Sequence, residues 1–257
     1  MKSLKTPIID SHAHCGIQDK SFDQSFESYF SFVQNTDISV VAAFPPVMEI
    51  YNRYDFNFRD TDQWRLKRKK ANEYLLNIKN PYLEVIPYFF IWNDFAVSQL
   101  TGKHKGIKWH RHSLEPVYHY DSDRCRKAIK EIKKRNMPVV LEEELGNTIK
   151  FIHKYARGVR VIIPHLGGLN GGYRAIADNG LWENPFVYAD TALASPREIS
   201  DYIQNYGHDR IMFGSDFPFG DPGYELQKIK ALGLGLNIEK AILSQNILHL
   251  LSDSNIK

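Results

Sequence analysis

Residues 7–14 read Pro-Ile-Ile-Asp-Ser-His-Ala-His, an apolar run followed by two histidines two positions apart. The run has the length of a short buried strand. At the strand period of two, Asp10, His12 and His14 would face the same way. Two imidazoles at the end of a strand can occupy two coordination positions of a divalent ion such as Zn²⁺. The alternative is a pair of solvated histidines in a loop.

Seven further apolar runs of strand length follow, separated by segments with helical spacing. Near-continuous apolar strands are typical of a parallel sheet that is buried on both faces. The predicted strands are residues 7–10, 38–44, 83–91, 106–110, 138–141, 159–163, 186–188 and 210–213. Eight such strands with intervening helices are the number found in a closed barrel. The sequence therefore predicts an α/β protein, a (β/α)₈ TIM barrel.

The segments between the strands contain predicted helices and two predicted loops. Apolar residues recur three and four positions apart in the helix candidates, which are residues 122–135, 148–155, 198–206 and 238–251. Residues 51–64 show neither period, and residues 166–172 contain four glycines. Both are predicted loops at the rim of an active site. Because no repeat or linker divides the chain, residues 1–257 are predicted to form one domain.

Composition excludes several classes of protein. Of the 257 residues, 43% are hydrophobic and 25% are charged, which excludes wholesale disorder. A net charge of +3 predicts neither a nucleic-acid nor a membrane partner, so the basic run 65–70 is expected to begin a solvated helix. Cys15 and Cys125 cannot form a disulfide framework, and no apolar run approaches the ~18 residues of a membrane span. With no signal-peptide pattern at the N-terminus, a cytoplasmic location is expected.

Two more candidate site residues follow later strands. His165 comes directly after the strand predicted at 159–163, and Asp216 follows the last predicted strand in the sequence Gly-Ser-Asp-Phe-Pro. In a barrel the carboxyl ends of the strands converge on one face, so these side chains are expected near the first-strand histidines. For Asp216 the alternative is a loop cap.

Taken in order, these segments resemble the amidohydrolase superfamily, in the branch called amidohydrolase 2. The resemblance runs from end to end and rests on DxHxH at 10–14, GIKWH at 106–110, PHLGG at 164–168, YADTA at 188–192, RIMFGSDFP at 210–218 and ILSQNILHLL at 242–251. The branch includes metal-dependent TIM-barrel hydrolases, decarboxylases and hydratases. The resemblance therefore implies one amidohydrolase-like domain that is an enzyme.

The resemblance also implies roles for individual residues. His12 and His14 would bind one divalent ion, and Asp216 would bind it and exchange a proton with the metal-activated water. His165 would complete the coordination or act beside the water as acid, base or oxyanion partner, and Asp190 could hydrogen-bond to it or to a neighbouring ligand. Zn²⁺ is the preferred ion, with Mn²⁺ or Fe²⁺ as alternatives.

The fifth strand departs from the family pattern. Where the family usually has a histidine a few residues after a proline, residues 138–144 read Pro-Val-Val-Leu-Glu-Glu-Glu. Glu142 stands in the place of that histidine, and Glu144 would share its face. Because a carboxylate is a competent metal ligand, Glu142 is a further candidate ligand. The alternative is a solvated acidic patch at the start of a helix.

Lys108 is the third predicted catalytic residue, beside Asp216 and His165. We expect it to act as a point charge or hydrogen-bond donor toward an anionic substrate group or a developing oxyanion. Carbamylation of the lysine and simple packing with a snorkelled amine are the alternatives. Arg111 and His112 follow on the same predicted strand end and could bind a substrate carboxylate.

These features lead to one main functional hypothesis and two alternatives. The main hypothesis is a metal-dependent hydrolase that cleaves an amide, lactone or ester bond of a small molecule, and whether that substrate is anionic is left open. The alternatives are a non-oxidative decarboxylase or hydratase on the same site, and a non-catalytic barrel that binds a metabolite. A homodimer is an open expectation.

Overall fold

The computed structural model describes residues 6–17 and 22–252. Its eight parallel strands lie side by side in the order in which they occur in the chain. They are β1 (Ile8–His14), β2 (Ile38–Phe44), β3 (Glu84–Phe90), β4 (Gly106–His110), β5 (Val139–Glu142), β6 (Val161–Ile163), β7 (Val187–Asp190) and β8 (Ile211–Met212). Each predicted strand overlaps one of these, so the predicted strand order is confirmed.

The segment after β8 returns to β1 and brings the two ends of the sheet together. The backbone N–H of Ser11 donates to the carbonyl of Phe213 at 2.9 Å, and that of Asp216 donates to the carbonyl of His12 at 2.7 Å. Ala13 and Phe217 form a further parallel bridge. These bonds confirm the predicted TIM barrel and place the two ends of its sequence at one site.

Helices surround the sheet. They are α1 (Phe26–Val33), α2 (Asp62–Asn77), α3 (Asp123–Lys134), α4 (Leu145–Lys150), α5 (Tyr173–Asp178), α6 (Pro196–Tyr206), α7 (Pro222–Ala231), α8 (Leu236–Lys240) and α9 (Asn246–Ser252). π-helical turns at Phe151–Tyr155 and Ala241–Gln245 extend α4 and join α8 to α9. The four predicted helices are confirmed, with these turns inside two of them. No helix within the described ranges is long and apolar enough to cross a membrane.

The loop predicted at 51–64 is three residues shorter in the structure. The side chain of Thr61 accepts a hydrogen bond from the N–H of Trp64 and begins α2 at Asp62. The basic run 65–70 lies in this helix, but Arg68 is buried and donates to Asp94 at 2.7 Å, so the run is not wholly solvated as predicted.

The strands are apolar on both faces, as a parallel sheet requires. Along β2, Val41 and Ala43 belong to the larger apolar cluster, which also contains Tyr29 of α1 and Ile132 of α3. The alternate residues of β2, such as Ala42, belong to a smaller cluster built from several strands. Most helix residues belong to the larger cluster, so the smaller one, which Ile247 and Leu250 of α9 also join, marks the inside of the barrel.

β1 continues further than predicted and contains a register shift. The strand runs to His14, and its pairing with β2 is interrupted between Asp10 and Ala13. The shift turns Asp10 away from His12, and its carboxylate instead accepts hydrogen bonds from Tyr29 (2.8 Å) and Ser215 (2.6 Å). The prediction that Asp10 shares a face with the two histidines is therefore wrong, because a bulge breaks the period of two.

His104, just before β4, should make the stability of the fold depend on pH. Burial lowers the pKa of His104 to about 4, whereas histidine in an unfolded chain titrates near 6.5. The unfolded state therefore binds more protons between these values, and the free energy of unfolding decreases as the pH falls through them. Between pH 7.5 and pH 5 this residue should account for about 2 kcal/mol of the decrease.

Urea unfolding of His104→Asn checks this expectation. The N–H of Thr101 donates to Nδ1 of His104 at 3.1 Å, and the asparagine oxygen retains that acceptor without the titration. The variant should lose less stability than the wild type between the two pH values. The same loss in both proteins would contradict the assignment.

Candidate active site

The two histidines of β1 present Nε2 to one carboxylate oxygen. Nε2 of His12 lies 3.2 Å from Oδ1 of Asp216, and Nε2 of His14 lies 3.4 Å from the same atom. Nδ1 of His12 is 2.7 Å from Oδ2 of Asp190, and Nδ1 of His14 is 3.4 Å from the carbonyl of Pro45. Because both partners of Nδ1 are acceptors, the proton of a neutral ring is best placed on Nδ1, where it leaves the lone pair of Nε2 for a metal ion. This tautomer is the one in which histidine binds a metal.

Asp216 is placed by an uncommon backbone conformation. Its φ is +58°, in the left-handed region that non-glycine residues rarely adopt. Burial opposes ionisation of Asp216, but the charge of His165 and the hydrogen bonds with His12 and His14 outweigh it, so the pKa is lowered. The carboxylate is therefore ionised beside the two imidazoles, and its strained backbone is typical of functional sites.

His165 also has a left-handed backbone, with φ of +57° directly after β6. Its Nδ1 lies 3.1 Å from the carbonyl of Ala192, which leaves Nε2 buried without a hydrogen-bond partner among the described residues. The nearest acceptors of Nε2 are Oε2 of Glu142 at 3.7 Å and Oδ2 of Asp216 at 3.9 Å. Burial lowers the pKa of His165, but these two carboxylates raise it to about 9. In the metal-free site the imidazole is protonated and can donate from Nε2.

Asp190 accepts hydrogen bonds from both His12 and His165. Its Oδ2 accepts from Nδ1 of His12 at 2.7 Å, and its Oδ1 accepts from the backbone N–H of His165 at 2.9 Å. Burial raises the pKa of Asp190, but the charge of His12 and its hydrogen bond to Asp190 lower that pKa by more than burial raises it. The carboxylate is therefore ionised. One buried carboxylate therefore fixes the ring of His12 and the backbone of His165.

Replacing Asp190 with asparagine should weaken metal binding by 10- to 100-fold. The amide removes the negative charge behind His12 and weakens the preference of the ring for the metal-binding tautomer, an effect of about this size in metal sites. Competition with a chelator measures the affinity, and Asp178→Asn on an exposed face of α5 is the control. Equal affinities of the two variants would show that Asp190 only braces the backbone.

Glu142 lies at the centre of the site and makes three close contacts. Its Oε2 accepts from Nζ of Lys108 at 3.0 Å, and its Oε1 is 3.1 Å from Nε2 of His110 and 2.5 Å from Nε2 of His112. Burial opposes ionisation, but His110 and Lys108 hold the pKa of Glu142 well below its usual range. The side chain is only 3% exposed, so the alternative of a solvated acidic patch is wrong.

Glu142→Gln should lower the free energy of unfolding by about 3 kcal/mol, because it leaves the fully buried ammonium of Lys108 without its counter-charge. Urea unfolding measures the change. Glu144→Gln is the matched control, since that side chain is 44% exposed and its loss should change the stability little. Equal stabilities of the two variants would contradict the assignment.

Lys108 lies within reach of both His12 and Glu142. Its Nζ is 3.4 Å from Nε2 of His12 and lies over the ring of Phe44, 4.4 Å from the centroid. A buried cation at this position adds positive potential to the place where a substrate carbonyl would sit. The position is compatible with the predicted catalytic role.

Arg111 does not reach the site. Its guanidinium donates to Glu143 at 2.8 Å and to Glu144 at 2.7 Å, and it also binds the carbonyls of Ser113 and Glu115. The prediction that Arg111 could hold a substrate carboxylate is therefore wrong, because two carboxylates already bind it. The same contacts turn Glu144 away from Glu142, although the strand period predicted a shared face.

The predicted site residues converge on one strand-end face of the barrel: His12, His14, Lys108, Glu142, His165 and Asp216. Four neighbours around Glu142 were not predicted as site residues: Tyr51, Arg53, His110 and Glu115. His110 had a detectable signal, since it shares a face of β4 with Lys108. Tyr51 and Arg53 lie in the loop that was predicted at the rim of an active site, but nothing in that loop singled them out. Glu115 lies in a loop for which the sequence carried no signal.

Two overlapping groups of donor atoms that share His12 could hold a metal ion. The first is His12, His14 and Asp216, and the second is His12, Glu142 and His165, with the atoms of each group within 4.8 Å of one another. Imidazole nitrogen and carboxylate oxygen suit Zn²⁺, Mn²⁺ and Fe²⁺. With the proton on Nδ1, the Nε2 lone pairs of His12 and His14 face an ionised carboxylate. This arrangement suits a divalent ion bound between the three groups better than direct contact of these atoms.

Comparison with known proteins agrees with this architecture. Three solved structures share the fold at 12–17% sequence identity, which is too low to transfer a reaction. A 2,6-dihydroxybenzoate decarboxylase complexed with 2,6-dihydroxybenzoate has a TM-score of 0.70 and 14% identity over 96% of this chain and 100% of its own. A protein from Pseudomonas putida described as a 2-pyrone-4,6-dicarboxylic acid hydrolase has a TM-score of 0.67 and 17% identity over 97% and 98%.

The third structure contains a metal. A dihydroxybenzoic acid decarboxylase from Polaromonas sp. JS666, with bound manganese and 2-nitroresorcinol, has a TM-score of 0.67 and 12% identity over 96% of this chain and 97% of its own.

No curated protein matched the chain. A family model described as Amidohydrolase matches residues 102–252, which is more than half of the sequence. The chain belongs to the amidohydrolase family, in its amidohydrolase 2 branch.

Proposed function

We propose that the protein is a metal-dependent hydrolase that cleaves an amide, lactone or ester bond of a small anionic molecule. The observation that carries the proposal is the convergence of His12, His14 and Asp216 beside the unpartnered Nε2 of His165. His12, His14 and Asp216 would hold one divalent ion, with Zn²⁺ preferred and Mn²⁺ or Fe²⁺ as alternatives. When bound, such an ion polarises a carbonyl and makes water more acidic.

Asp216 and His165 are suited to the proton transfers. Oδ1 of Asp216 faces Nε2 of both β1 histidines, whereas Oδ2 lies 3.9 Å from Nε2 of His165. The ionised Oδ2 can accept a proton from the attacking water, and Nε2 of His165 can donate to the developing oxyanion or to the leaving group. Two groups with opposite charge at neutral pH thus lie 3.9 Å apart, where they could serve as the base and the acid.

Lys108 supplies a further cation on the substrate side. Its ammonium is held in place by Glu142 at 3.0 Å. A fixed positive charge in a buried site stabilises an oxyanion or a substrate carboxylate more than the same charge in water does. This arrangement favours an anionic substrate.

Non-oxidative decarboxylation on the same site is the second candidate. Two of the fold relatives described above are decarboxylases, and the buried ammonium of Lys108 could neutralise a carboxylate that is about to leave. The two reactions differ in their products, since only decarboxylation releases CO₂.

A panel of lactones, esters, amides and free carboxylic acids, tested with Zn²⁺- and Mn²⁺-loaded protein, separates these functions. A pH indicator reports hydrolysis of esters and lactones, an assay for ammonia or released amine reports hydrolysis of amides, and a coupled assay reports CO₂. Hydrolysis without CO₂ supports the hydrolase, whereas CO₂ release supports the lyase. A metal-loaded, folded protein that gives neither signal would contradict both and favour the non-catalytic barrel.

A further inference from the structure

A second group of donor atoms lies on the side of Glu142 that faces away from His165. Oε1 of Glu142 is 3.1 Å from Nε2 of His110 and 2.5 Å from Nε2 of His112, while Oε2 faces Lys108. These donor atoms of His110, His112 and Glu142 lie within 4.8 Å of one another. None of them belongs to the His12, His14 and Asp216 group.

Both rings have a carboxylate behind them, as His12 has Asp190. Nδ1 of His112 lies 3.5 Å from Oε1 of Glu115. Nδ1 of His110 lies 3.1 Å from the hydroxyl of Tyr51, which donates to Oε2 of Glu115 at 2.6 Å. An acceptor behind Nδ1 favours the tautomer in which Nε2 carries a lone pair, a recurrent arrangement around metal-bound histidine.

Arg53 is the other neighbour of this group. Its Nε donates to Glu115 at 2.7 Å, and its terminal nitrogen lies 3.0 Å from Nδ1 of His112. Without an ion, Arg53 can donate to Nδ1 while Nε2 of His112 donates to Glu142. When a cation takes the lone pair of Nε2, the ring carries its one proton on Nδ1 instead, and that N–H can donate to Glu115, which lies 3.5 Å away, in place of the contact with Arg53.

We propose that His110, His112 and Glu142 form a second binding site for a divalent transition-metal ion. In a tetrahedral zinc site with bonds of about 2.0 Å, the donor atoms lie roughly 3.3 Å apart. The separation of 3.1 Å between His110 and Glu142 meets this spacing, and that of 2.5 Å requires a small outward shift of His112. The ring of His112 is 34% exposed, so it has room for the shift.

The surroundings of this site set its affinity and its open side. Lys108 at 3.0 Å from Glu142 and Arg53 beside His112 both repel a cation, so the second ion binds more weakly than the first. Three protein ligands with an exposed edge leave a position for an exchangeable group, as in catalytic rather than structural zinc sites. An anionic substrate group can occupy that position. The second ion would then bind the substrate carboxylate that Arg111 was predicted to bind.

Zinc titration of the metal-free protein, followed by equilibrium dialysis and elemental analysis, tests the second site. The wild type should bind two Zn²⁺ ions of different affinity, and the double variant His110→Gln/His112→Gln should lose only the weaker one. The exposed histidines of the double variant His119→Gln/His153→Gln are the control, which should still bind two ions. One ion in the saturated wild type, or two in the His110/His112 variant, would overturn the proposal.

The proposal of a second metal site and the proposed hydrolase function can be contradicted independently of each other. His12→Ala/His14→Ala should retain the weaker ion if the second site exists, whatever happens to the tighter one. Loss of both ions from that variant while it remains folded by circular dichroism would overturn an independent second site. If a variant does not fold, anomalous diffraction from wild-type crystals soaked in Zn²⁺ decides the matter, through a peak at bonding distance from Nε2 of His110 and His112 or the absence of one.

Discussion

Replacing His12 and His14 together with alanine should abolish binding of the tight divalent ion and reduce hydrolysis to the background rate. The two Nε2 lone pairs are both directed at Oδ1 of Asp216, and a single carboxylate cannot retain a transition ion against the solvent. Elemental analysis after dialysis without chelator measures the ion, and the substrate panel measures turnover. We expect about one tightly bound ion per chain in the wild type.

The double variant should remain a folded barrel, although it will be less stable. Removing His12 leaves the buried carboxylate of Asp190 without its 2.7 Å partner, which should lower the free energy of unfolding by about 1–3 kcal/mol. Circular dichroism checks that the secondary structure is retained, and His119→Gln/His153→Gln again provides the control. If the alanine variant keeps both its tight ion and its activity, the β1 histidines are not the metal ligands.

The barrel itself could be predicted because its strands are apolar on both faces. Every residue of β6, and every residue of β5 before Glu142, is aliphatic. Polar residues therefore did not obscure the pattern of these strands. β1 was predicted too short because Ser11, His12 and His14 are polar. Their polar groups are satisfied at the barrel mouth, by contacts that hydrophobicity cannot detect.

The candidate ligands could be predicted because they follow strand ends, which converge in any TIM barrel. The network around Glu142 could not be predicted in the same way. Arg53 and Glu115 come from loops after β2 and β4, and only the folded chain brings them together. Arg111 was assigned wrongly because sequence proximity to Lys108 does not show that Glu143 and Glu144 bind its guanidinium.

The left-handed residues were also invisible to the sequence analysis. His165, Asp216 and Leu193 have φ values of +57°, +58° and +56°, and they follow β6, β8 and β7, respectively. Each costs about 1–3 kcal/mol of conformational energy, which the surrounding structure must offset. Of the six non-glycine residues with positive φ in the described ranges, His165 and Asp216 supply groups to the candidate site, where the proposed chemistry requires a fixed geometry.

His165→Asn should reduce turnover by roughly 10² or more while leaving the metal content unchanged. Asparagine tolerates the left-handed conformation of residue 165, and its amide N–H can still donate to the carbonyl of Ala192. The substitution therefore removes little besides Nε2, the atom proposed to donate toward the oxyanion or the leaving group. Steady-state kinetics should show the loss in kcat, because the interaction is made in the transition state.

Metal analysis of the same variant separates the two roles that His165 could have. Retention of the ion with loss of turnover supports proton donation, whereas loss of the ion would make His165 a ligand and leave proton transfer to Asp216. Unchanged turnover would show that the imidazole only positions the loop after β6. Asn170→Asp is not a suitable control, because its amide donates to the carbonyl of Leu141 at 3.0 Å. Asn179→Asp, at the exposed end of α5, changes neither site nor strand and should leave kcat and metal content as they are.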